Sequence, residues 1–563
     1  MTAPSPAATG TQSLEFLAAE MLDAWQQRDP FRAGPFGFPQ AFRMLPAQSA
    51  ADRERRGRDL RSIEKIALDL DPAALDHQQR LTRIVLAEQA GSAADLLDLA
   101  PEEFAINLPR EFSGVSVVRG ITKAPVRDLT EGQAYLRRLG LVPRFLAAEV
   151  EQLRAGAAAG RHPARRMVAA SIEELSRPTT PEQVTSWLLG TARSDWSGAA
   201  AGRQAADTLI ADRVAPAIAE YVDALRTEFL PAARADEQIG LSWVPGGDRL
   251  YQAYLREETT LELDPQELFD WASDRAADLC QELIEMLGGG NTLGEALAAR
   301  VDLRYENPAD ILTDTRAQSE RAAKALAKWF SLPLSQPCQV LEMPEATARN
   351  YAGAQYLPGS VSGDRPGVFY INVFQPRYRH EVASMFTGGA VPGSHVFWSY
   401  AFAAQVPEFR RVAFIPGFVK GWAGYAVGLA AEMGLYLDEA AELGRRCKEL
   451  ANVARVVVDT GLHTQGWSWQ QAVDYLVANT GSSAHDAASE VDRVVCMPGE
   501  GPIFAIGARE ITAARTRAAQ TLGDRFDIRE FHDRLLENGS IPLPAMAQVM
   551  QDWATGRQSG DNA

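Results

Sequence analysis

The chain has 563 residues, of which 46% are hydrophobic and 23% are charged, a composition that is ordinary for a globular protein. Its 56 Lys and Arg residues against 73 Asp and Glu residues give a formal net charge of −17. The acidic residues are spread along the chain rather than gathered in a tail. This charge argues against nucleic acid or an anionic membrane as the main partner.

The cysteines and the N-terminal segment indicate the compartment. Cys280, Cys338, Cys447 and Cys496 lie far apart, with no CxxC pair, and we expect them to be free thiols in a reducing cytoplasm. The N-terminal segment has neither the basic region nor the apolar region of a signal peptide. No window reaches the roughly 18 continuous apolar residues that would span a membrane. The sequence therefore predicts a cytoplasmic protein.

Helical patterns dominate the first 235 residues. Residues 1–12 are rich in Ala, Pro, Thr and Ser, and we expect them to be disordered. Residues 13–235 form a predicted N-terminal helical region, in which Pro-rich breaks separate runs of helical periodicity.

The rest of the chain adds one small sheet to the helices. Within a second predicted region, residues 236–555, the segment Gly240–Asp248 is expected to form a short strand and turn. Residues 338–374 contain three short apolar or alternating runs between Gly and Pro turns, which predict a small β-sheet. The chain is then helical as far as a polar tail at 556–563. The predicted fold class is mainly α with a small β-sheet (α+β).

A series of short motifs follows one another in a fixed order along the chain. They are Val244–Gly247, Thr259–Thr260, Arg365–Gly367, Pro376–Tyr378, Val391–Gly393, Gly421–Ala423, Arg455–His463, Gly466–Ser468, Glu490–Arg493, Pro498–Gly499, Phe526–Asp527 and Phe531–His532. This order resembles the bacterial family known as domain of unknown function 885 (DUF885), and the match covers nearly the whole chain.

The resemblance implies a large helical scaffold like that of gluzincin-type zinc peptidases, with a central cleft flanked by the small sheet. A helix over residues 378–405 would present the metal motif, which the family writes His-Glu-Ala-x-Pro-Gly-His. In that chemistry two His and a downstream Glu hold zinc, and the Glu beside the first His takes a proton from the metal-bound water.

This chain lacks all four of those residues. Gly388 and Ser394 stand at the two His positions, Gly389 at the position of the base, and Lys420 at that of the third ligand. Glycine and serine cannot replace imidazole, and an ammonium group repels zinc. We therefore expect a vacated metal site with no zinc and no other cofactor. Phe504, where the family has a tyrosine, removes a hydroxyl group that could support an oxyanion.

A nearby segment resembles a metal-binding motif. His380-Glu381 begins an HExxH-like run that ends in Ser384, and we interpret it as a polar helix face. A zinc site rebuilt from His380, Glu381, His395 and His463 is disfavoured, because none of these residues has the spacing of a ligand pair on a helix.

The polar residues that remain could still line a working cleft. We take His395, His463 and Lys420 as candidate catalytic groups, the lysine because burial of an amine lowers its pKa. Each histidine also has a structural interpretation: His395 as a core residue, and His463 as the helical i, i+4 partner of an aspartate. Candidate substrate-binding residues are Arg365, Arg377, Tyr378, Asp459, Glu490 and Arg493. Glu490 and Arg493 form either a surface ion pair or part of a clamp for an anionic substrate.

Two functions are compatible with this set of residues. In the first, the protein is a repurposed, metal-independent enzyme that uses acid/base chemistry on a small peptide-like or carboxylated substrate, in a specialised biosynthetic pathway. In the second, it is a catalytically inactive pseudo-peptidase that binds a ligand or a partner protein. The sequence does not predict the oligomeric state.

Overall fold

The structure is a computed structural model and is mainly helical, with one small sheet, as the sequence predicted. The residues that it describes are 6–46, 49–106, 113–122, 126, 128–178, 180–189, 200–290, 292–332, 334, 337–348, 353–375 and 377–559.

Twenty-five α-helices occupy most of the described residues. The first ten are α1 Pro6–Arg28, α2 Pro30–Phe36, α3 Ala50–Asp69, α4 His77–Asp98, α5 Gly114–Thr122, α6 Leu129–Ala158, α7 Arg165–Ser176, α8 Pro181–Leu189, α9 Ala200–Leu209 and α10 Ala215–Ala224. The others are α11 Gly247–Thr259, α12 Pro265–Met286, α13 Leu293–Ala299, α14 Pro308–Ala325, α15 Glu345–Ala348, α16 Arg379–Gly389, α17 Ser394–Ala403, α18 Glu408–Val412, α19 Pro416–Glu432, α20 Glu439–His463, α21 Trp469–Thr480, α22 Ala484–Cys496, α23 Pro502–Leu522, α24 Ile528–Leu536 and α25 Leu543–Ser559. None of these helices combines the length and the hydropathy needed to cross a bilayer.

Both ends of the chain are more helical than the sequence predicted. α1 begins at Pro6, so residues 6–12, which we expected to be disordered, are helical in the structure. α25 continues to Ser559, into the predicted polar tail. Residues 1–5 and 560–563 lie outside the described residues.

The predicted strand within Gly240–Asp248 is wrong. The segment forms a short 3₁₀ helix, Leu241–Trp243, and a turn that leads into α11 at Gly247. The Val244 N–H donates to the Leu241 carbonyl at 2.8 Å, and the Gly247 N–H donates to the Val244 carbonyl at 2.8 Å. These two turns satisfy locally the backbone groups that a strand would have to pair with a neighbour, and no neighbouring strand is present in the described residues.

The single helix predicted over residues 378–405 is also wrong, because it is two helices. α16 ends at Gly389 and α17 begins at Ser394. Pro392 lies between them, and proline has no N–H to continue a helical ladder. The Gly393 N–H instead donates to the Thr387 carbonyl at 2.9 Å. The vacated metal motif therefore spans a helix break.

The small sheet lies where the sequence predicted it. Its strands are β1 Gln339–Glu342, β2 Ala354–Leu357 and β3 Val368–Ile371, in the order β1-β3-β2. β3 pairs in parallel with β1 and antiparallel with β2, and its Phe369 is opposite Val340 in one neighbour and Tyr356 in the other. Since Phe369 is buried, the central strand joins the sheet to the hydrophobic core.

The hydrophobic cores divide the chain differently from the predicted boundary at residue 235. Buried residues of α1–α4 belong to the same cluster as those of the sheet and of α16–α19 and α23–α25. The helices α5–α10 have a separate core of their own. The first hundred residues thus complete the core of the C-terminal half of the chain.

Glycines allow the backbones of α19 and α23 to touch. A Cβ on Gly421 would lie 2.5 Å from the Cα of Gly507, and a Cβ on Gly424 would lie 2.7 Å from the Phe504 carbonyl oxygen. Side chains at these positions would separate the helices. The contact places Lys420 of α19 beside Phe504 of α23.

We expect Gly421→Ala to lower the free energy of unfolding by about 2 kcal/mol, because its methyl group overlaps the backbone of the facing helix. Gly428→Ala is the matched control on the same helix: Gly428 is exposed, and a Cβ there would meet nothing within 4 Å, so the substitution should stabilise α19 by about 0.5–1 kcal/mol. Urea unfolding of both variants measures the difference. Equal effects would contradict the backbone contact.

Candidate functional site

A cavity of about 580 Å³ lies between the N-terminal helices and the C-terminal half. α1, α3, α4 and α11 form one side of its wall, and residues 409–416, Lys420, Glu500 and Ile503 form the other. The cavity exists because α1–α4 pack onto the C-terminal core. Lys420 is the lysine that lines it.

Lys420 lies between two aromatic rings. Its Nζ is 5.9 Å from the centroid of Phe414 and 5.7 Å from that of Phe504. Arg32 lies on Phe414 as well, with its guanidinium carbon 4.0 Å from the centroid. Burial, with smaller contributions from the charges of Arg32, Arg493 and Arg455, lowers the pKa of Lys420 to about 8. Among the described residues, no carboxylate pairs with this amine.

A second lysine reaches the same phenylalanine from α20. The Nζ of Lys448 is 5.9 Å from the centroid of Phe504. Burial lowers the pKa of Lys448 to about 7, with smaller contributions from Arg455, Arg493 and Lys420, while Glu490 opposes the shift. Both lysine residues are partly exposed to solvent, and Lys420, unlike Lys448, lines the cavity.

Phe504 is the centre of this group of cations. The guanidinium carbon of Arg455 is also 5.9 Å from its centroid, so three cationic side chains surround one half-buried ring. The π face of an aromatic ring attracts cations, which offsets part of their mutual repulsion. A ring supplies no countercharge, however, so an anion that enters the cleft would be attracted to these side chains.

Two carboxylates neutralise the arginines of the cluster. Glu490 accepts from Arg455 Nε at 2.7 Å and from Arg493 Nη2 at 2.6 Å, and Arg493 also pairs with Glu500. Burial alone would raise the pKa of Glu490, but the two arginines hold it well below its usual range. Glu490 and Arg493 are thus part of a half-buried network that orients both arginines beside the lysines.

Asp459 anchors the turn that precedes α23. Its carboxylate accepts from the backbone N–H of Gly499 at 3.1 Å and of Gly501 at 2.6 Å. Burial raises the pKa of Asp459 to about 7, although these two hydrogen bonds act in the opposite direction. A Cβ on Gly501 would lie 2.6 Å from the aspartate side chain, so only glycine fits there. The geometry favours a positioning role for Asp459, since it fixes the helix that carries Phe504.

His463 lies next to Asp459, one helical turn along α20, with its Nε2 3.7 Å from Asp459 Oδ1. Its Nδ1 accepts from the Leu241 N–H at 3.2 Å and its Nε2 donates to the Val494 carbonyl at 3.2 Å, a pattern that requires the neutral ring. Burial lowers the pKa of His463 to about 4. The ring borders a different, much smaller cavity of about 30 Å³. These contacts favour its structural interpretation over acid/base work with Lys420.

His395 also lies apart from the lysines. Its Nδ1 is 2.8 Å from the hydroxyl of Tyr356 on β2, and Gly367 packs so closely that a Cβ there would lie 2.8 Å from the same nitrogen. Arg365 belongs to the neighbouring loop, where its N–H donates to Ser360 Oγ at 3.0 Å. His395 and Arg365 thus belong to the sheet side of the molecule.

Arg377 and Tyr378 lie at the start of α16. Arg377 Nη1 is 3.7 Å from Glu381, one turn along the helix, and Arg304 lies over the ring of Tyr378 at 5.7 Å. Pro376, which precedes them, lies outside the described residues. The structure therefore groups Lys420, Asp459, Glu490 and Arg493 around α20, with His463 next to Asp459. It does not bring His395, Arg365, Arg377 and Tyr378 into that group.

The vacated metal site does not fit zinc. A Cβ on Gly388 would lie 3.0 Å from Val427 Cγ2, and one on Gly389 would lie 2.8 Å from the ring of Phe369, so apolar groups occupy the space that ligands would need. Ser394 Oγ donates to the Gly388 carbonyl at 3.4 Å. No group of three His, Cys, Asp or Glu residues in the described part of the chain could hold a metal ion.

Lys448 is the main site residue that sequence reasoning missed. With Asn452, Arg455 and Asp459 it forms a polar stripe at helical i, i+4, i+7 and i+11 spacing along α20, whose other positions include a long apolar run. That stripe was the available signal. It was not sufficient, because a polar stripe on a helix usually faces solvent.

Comparison with known proteins agrees with the observed fold. The family described as "Bacterial protein of unknown function (DUF885)" matches residues 30–550. The chain is similar to a crystal structure described as a "putative lipoprotein" from Colwellia psychrerythraea, with a TM-score of 0.86 and 24% identity over 97% of this chain and 99% of that one. A structure from Shewanella oneidensis with a similar description has a TM-score of 0.74 and 16% identity over 95% and 98% of the two chains. No curated protein matches. At these identities the structures establish the fold alone.

We expect Lys448→Met to change the pH dependence of stability. The ordinary lysine pKa of 10.5 falls to about 7 in the fold, so between these values the unfolded chain binds a proton that the folded protein lacks. Stability of the wild type therefore rises with pH across this window, and the cost of the buried charge is fully present below about pH 7.

Urea unfolding between about pH 7 and pH 10 measures this slope. Lys448→Met should be more stable at pH 7 by roughly 2–4 kcal/mol and should lose most of the slope. Lys324→Met, on the exposed face of α14, is the control that should leave the slope unchanged. Parallel profiles for the wild type and Lys448→Met would contradict the burial of this amine.

We also expect the purified protein to hold far less than one zinc ion per chain after incubation with excess zinc and desalting, because glycines and a lysine stand at the ligand positions. Inductively coupled plasma mass spectrometry measures the ratio. Stoichiometric zinc that disappears in His395→Ala would show instead that a metal site has been rebuilt from other residues.

Proposed function

The chain belongs to the bacterial DUF885 family, and we propose that within this fold it is a metal-independent enzyme that binds a small carboxylated, peptide-like substrate at Lys420 and Lys448. The observation that carries this proposal is the pair of amines beside Phe504, neither of which has a carboxylate partner among the described residues.

The charges around Phe504 favour an anionic ligand, whereas the rest of the cavity lining is rich in Asp and Glu. Lys420, Lys448, Arg455 and Arg493 bring four cations into the cluster, whereas Glu490 and Glu500 bring two carboxylates, which both pair with arginine. A buried charge without a partner is costly, and a bound carboxylate would compensate the amines directly. The cavity of about 580 Å³ beside Lys420 has room for a molecule of the size of a short peptide or an amino acid derivative.

The amines support acid/base chemistry as well as binding. An amine with a pKa near neutrality exists in both protonation states under physiological conditions, which is the requirement for a general acid or base. Arginine could bind the same carboxylate but would remain protonated. This chain uses lysine rarely: its lysines are Lys65, Lys123, Lys324, Lys328, Lys420 and Lys448. Two of these six lie beside the same aromatic ring.

The proposal moves the acid/base role away from the histidines. His463 is neutral and bonded on both ring nitrogens, and His395 is bonded to Tyr356 at the sheet. Of the three candidate catalytic residues, Lys420 therefore keeps its role, and Lys448 takes the place of the two histidines. A cytoplasmic location and a specialised biosynthetic pathway remain predictions, as does the alternative of a pseudo-peptidase that binds the ligand without converting it.

Carboxylate binding can be tested with simple probes. We expect acetate, N-acetylglycine and glycylglycine to raise the melting temperature, and their uncharged amide counterparts to have little effect. Lys420→Met should weaken N-acetylglycine binding by about tenfold or more in isothermal titration calorimetry. Lys324→Met should bind like the wild type. Equal affinity in Lys420→Met would overturn the assignment of this amine.

The pH dependence of binding separates charge from proton transfer. Because the pKa of Lys420 is about 8, affinity for N-acetylglycine should fall as the pH rises from about 6.5 to 9.5, as the amine loses its charge. Lys420→Arg should keep its affinity at the higher pH while it loses turnover of any substrate that is found. Retained turnover in Lys420→Arg would favour a site that needs only the positive charge.

A further inference from the structure

We propose that Lys448 is a nucleophile that forms an imine with the carbonyl carbon of an oxo acid, a small molecule with both a carboxylate and an aldehyde or ketone group. This inference rests on the proposed function, because Lys420 holds the carboxylate of the same molecule.

The placement of the two amines carries the inference. Lys420 and Lys448 come from different helices and approach the same ring to within 5.7 and 5.9 Å of its centroid. One amine is enough to pair with one carboxylate. The second amine is therefore available for another group of the same ligand, and the electrophile that a neutral amine attacks most readily is a carbonyl carbon.

The surroundings of Lys448 favour its neutral, nucleophilic form. Arg455 and Arg493 are fixed beside it by Glu490, which accepts from both guanidinium groups. Glu490 is therefore paired with the two arginines, and no ion pair with Lys448 is present among the described residues. A lysine beside fixed cations and without a carboxylate of its own gives up its proton more easily, which is a known way to activate an amine for attack on a carbonyl.

The identity of the residue supports amine chemistry over simple anion binding. Arginine outnumbers lysine in this chain and would bind a carboxylate with two parallel hydrogen bonds. Arginine has no nucleophilic amine, however, and lysine does. A second lysine, rather than a second arginine, beside Phe504 is what imine formation requires.

The step balances without an added oxidant or reductant. The lone pair of the neutral Lys448 amine forms the N–C bond while the C=O π electrons move to oxygen. The C–O bond then breaks as the C=N bond forms, and oxygen leaves as water with the two hydrogens that the amine carried. The positive charge of Lys420 binds the carboxylate throughout the step and stabilises the negative charge that develops on the carbonyl oxygen.

Borohydride trapping tests the inference, since hydride converts an imine into a stable secondary amine. The full-length protein is incubated with glyoxylate, pyruvate or 4-oxobutanoate, reduced with sodium cyanoborohydride, and analysed by intact-mass and peptide mass spectrometry. We expect a single adduct with at least one of these acids, located on Lys448. Lys448→Met should reduce trapping by about tenfold or more, and Lys324→Met should trap like the wild type.

A second variant distinguishes the two lysines. Lys420→Met should reduce trapping of the oxo acids but not of propanal, which has no carboxylate for Lys420 to hold. Circular dichroism and thermal melting confirm that each variant is folded, and Lys448→Arg, which keeps the charge and loses the nucleophile, should also fail to trap. An adduct on Lys420 or spread over surface lysines would overturn the inference.

The outcomes separate this inference from the proposed function. Thermal shifts with pyruvate and with lactate, its hydroxy counterpart, report carboxylate binding alone. If both acids bind but no adduct forms on Lys448, imine formation is excluded and the carboxylate site stands. If neither these acids nor N-acetylglycine bind, both proposals fall together.

Discussion

The contact between the backbones of α19 and α23 is the constraint on which the site depends. Gly421 and Gly507 meet with no room for a side chain, and Gly424 lies against the carbonyl of Phe504 in the same way. Two helices this close must keep a fixed rotation relative to each other, because any turn about either axis would bring a side chain into the crossing. The close backbone contact therefore fixes the position of Lys420 beside Phe504.

Asp459 fixes the start of α23 relative to α20. Its carboxylate accepts two backbone N–H groups at the turn before α23, so the start of that helix is tied to α20. α20 also carries Lys448 and Arg455, three turns and one turn earlier. Three helices are thus joined around Phe504, by glycines on one side and by a buried carboxylate on the other. The cluster of cations is built into this core.

The sequence predicted what depends on local pattern. The helical content and the three strands between 338 and 374 follow from residues close together in the chain. The packing of α1–α4 into the C-terminal core, and with it the cavity, does not, because no local pattern specifies which distant helices share a core. Lys448 was missed for the same reason: its importance comes from Phe504, which lies 56 positions further along the chain.

Under the proposed function, lysines would supply the positive charge that zinc supplies in gluzincin-type peptidases. A zinc ion offers a fixed double charge and an activated water, whereas an amine offers a single charge that it can release along with a proton. A scaffold with amines in place of zinc would still attract carboxylate oxygens, and by our proposal it would also have a nucleophile. The glycines at 388 and 389 are consistent with this proposal, because the apolar groups packed against them leave no space for metal-binding side chains. By our proposal, such a cleft would bind substrates that carry both a carboxylate and an electrophilic carbon.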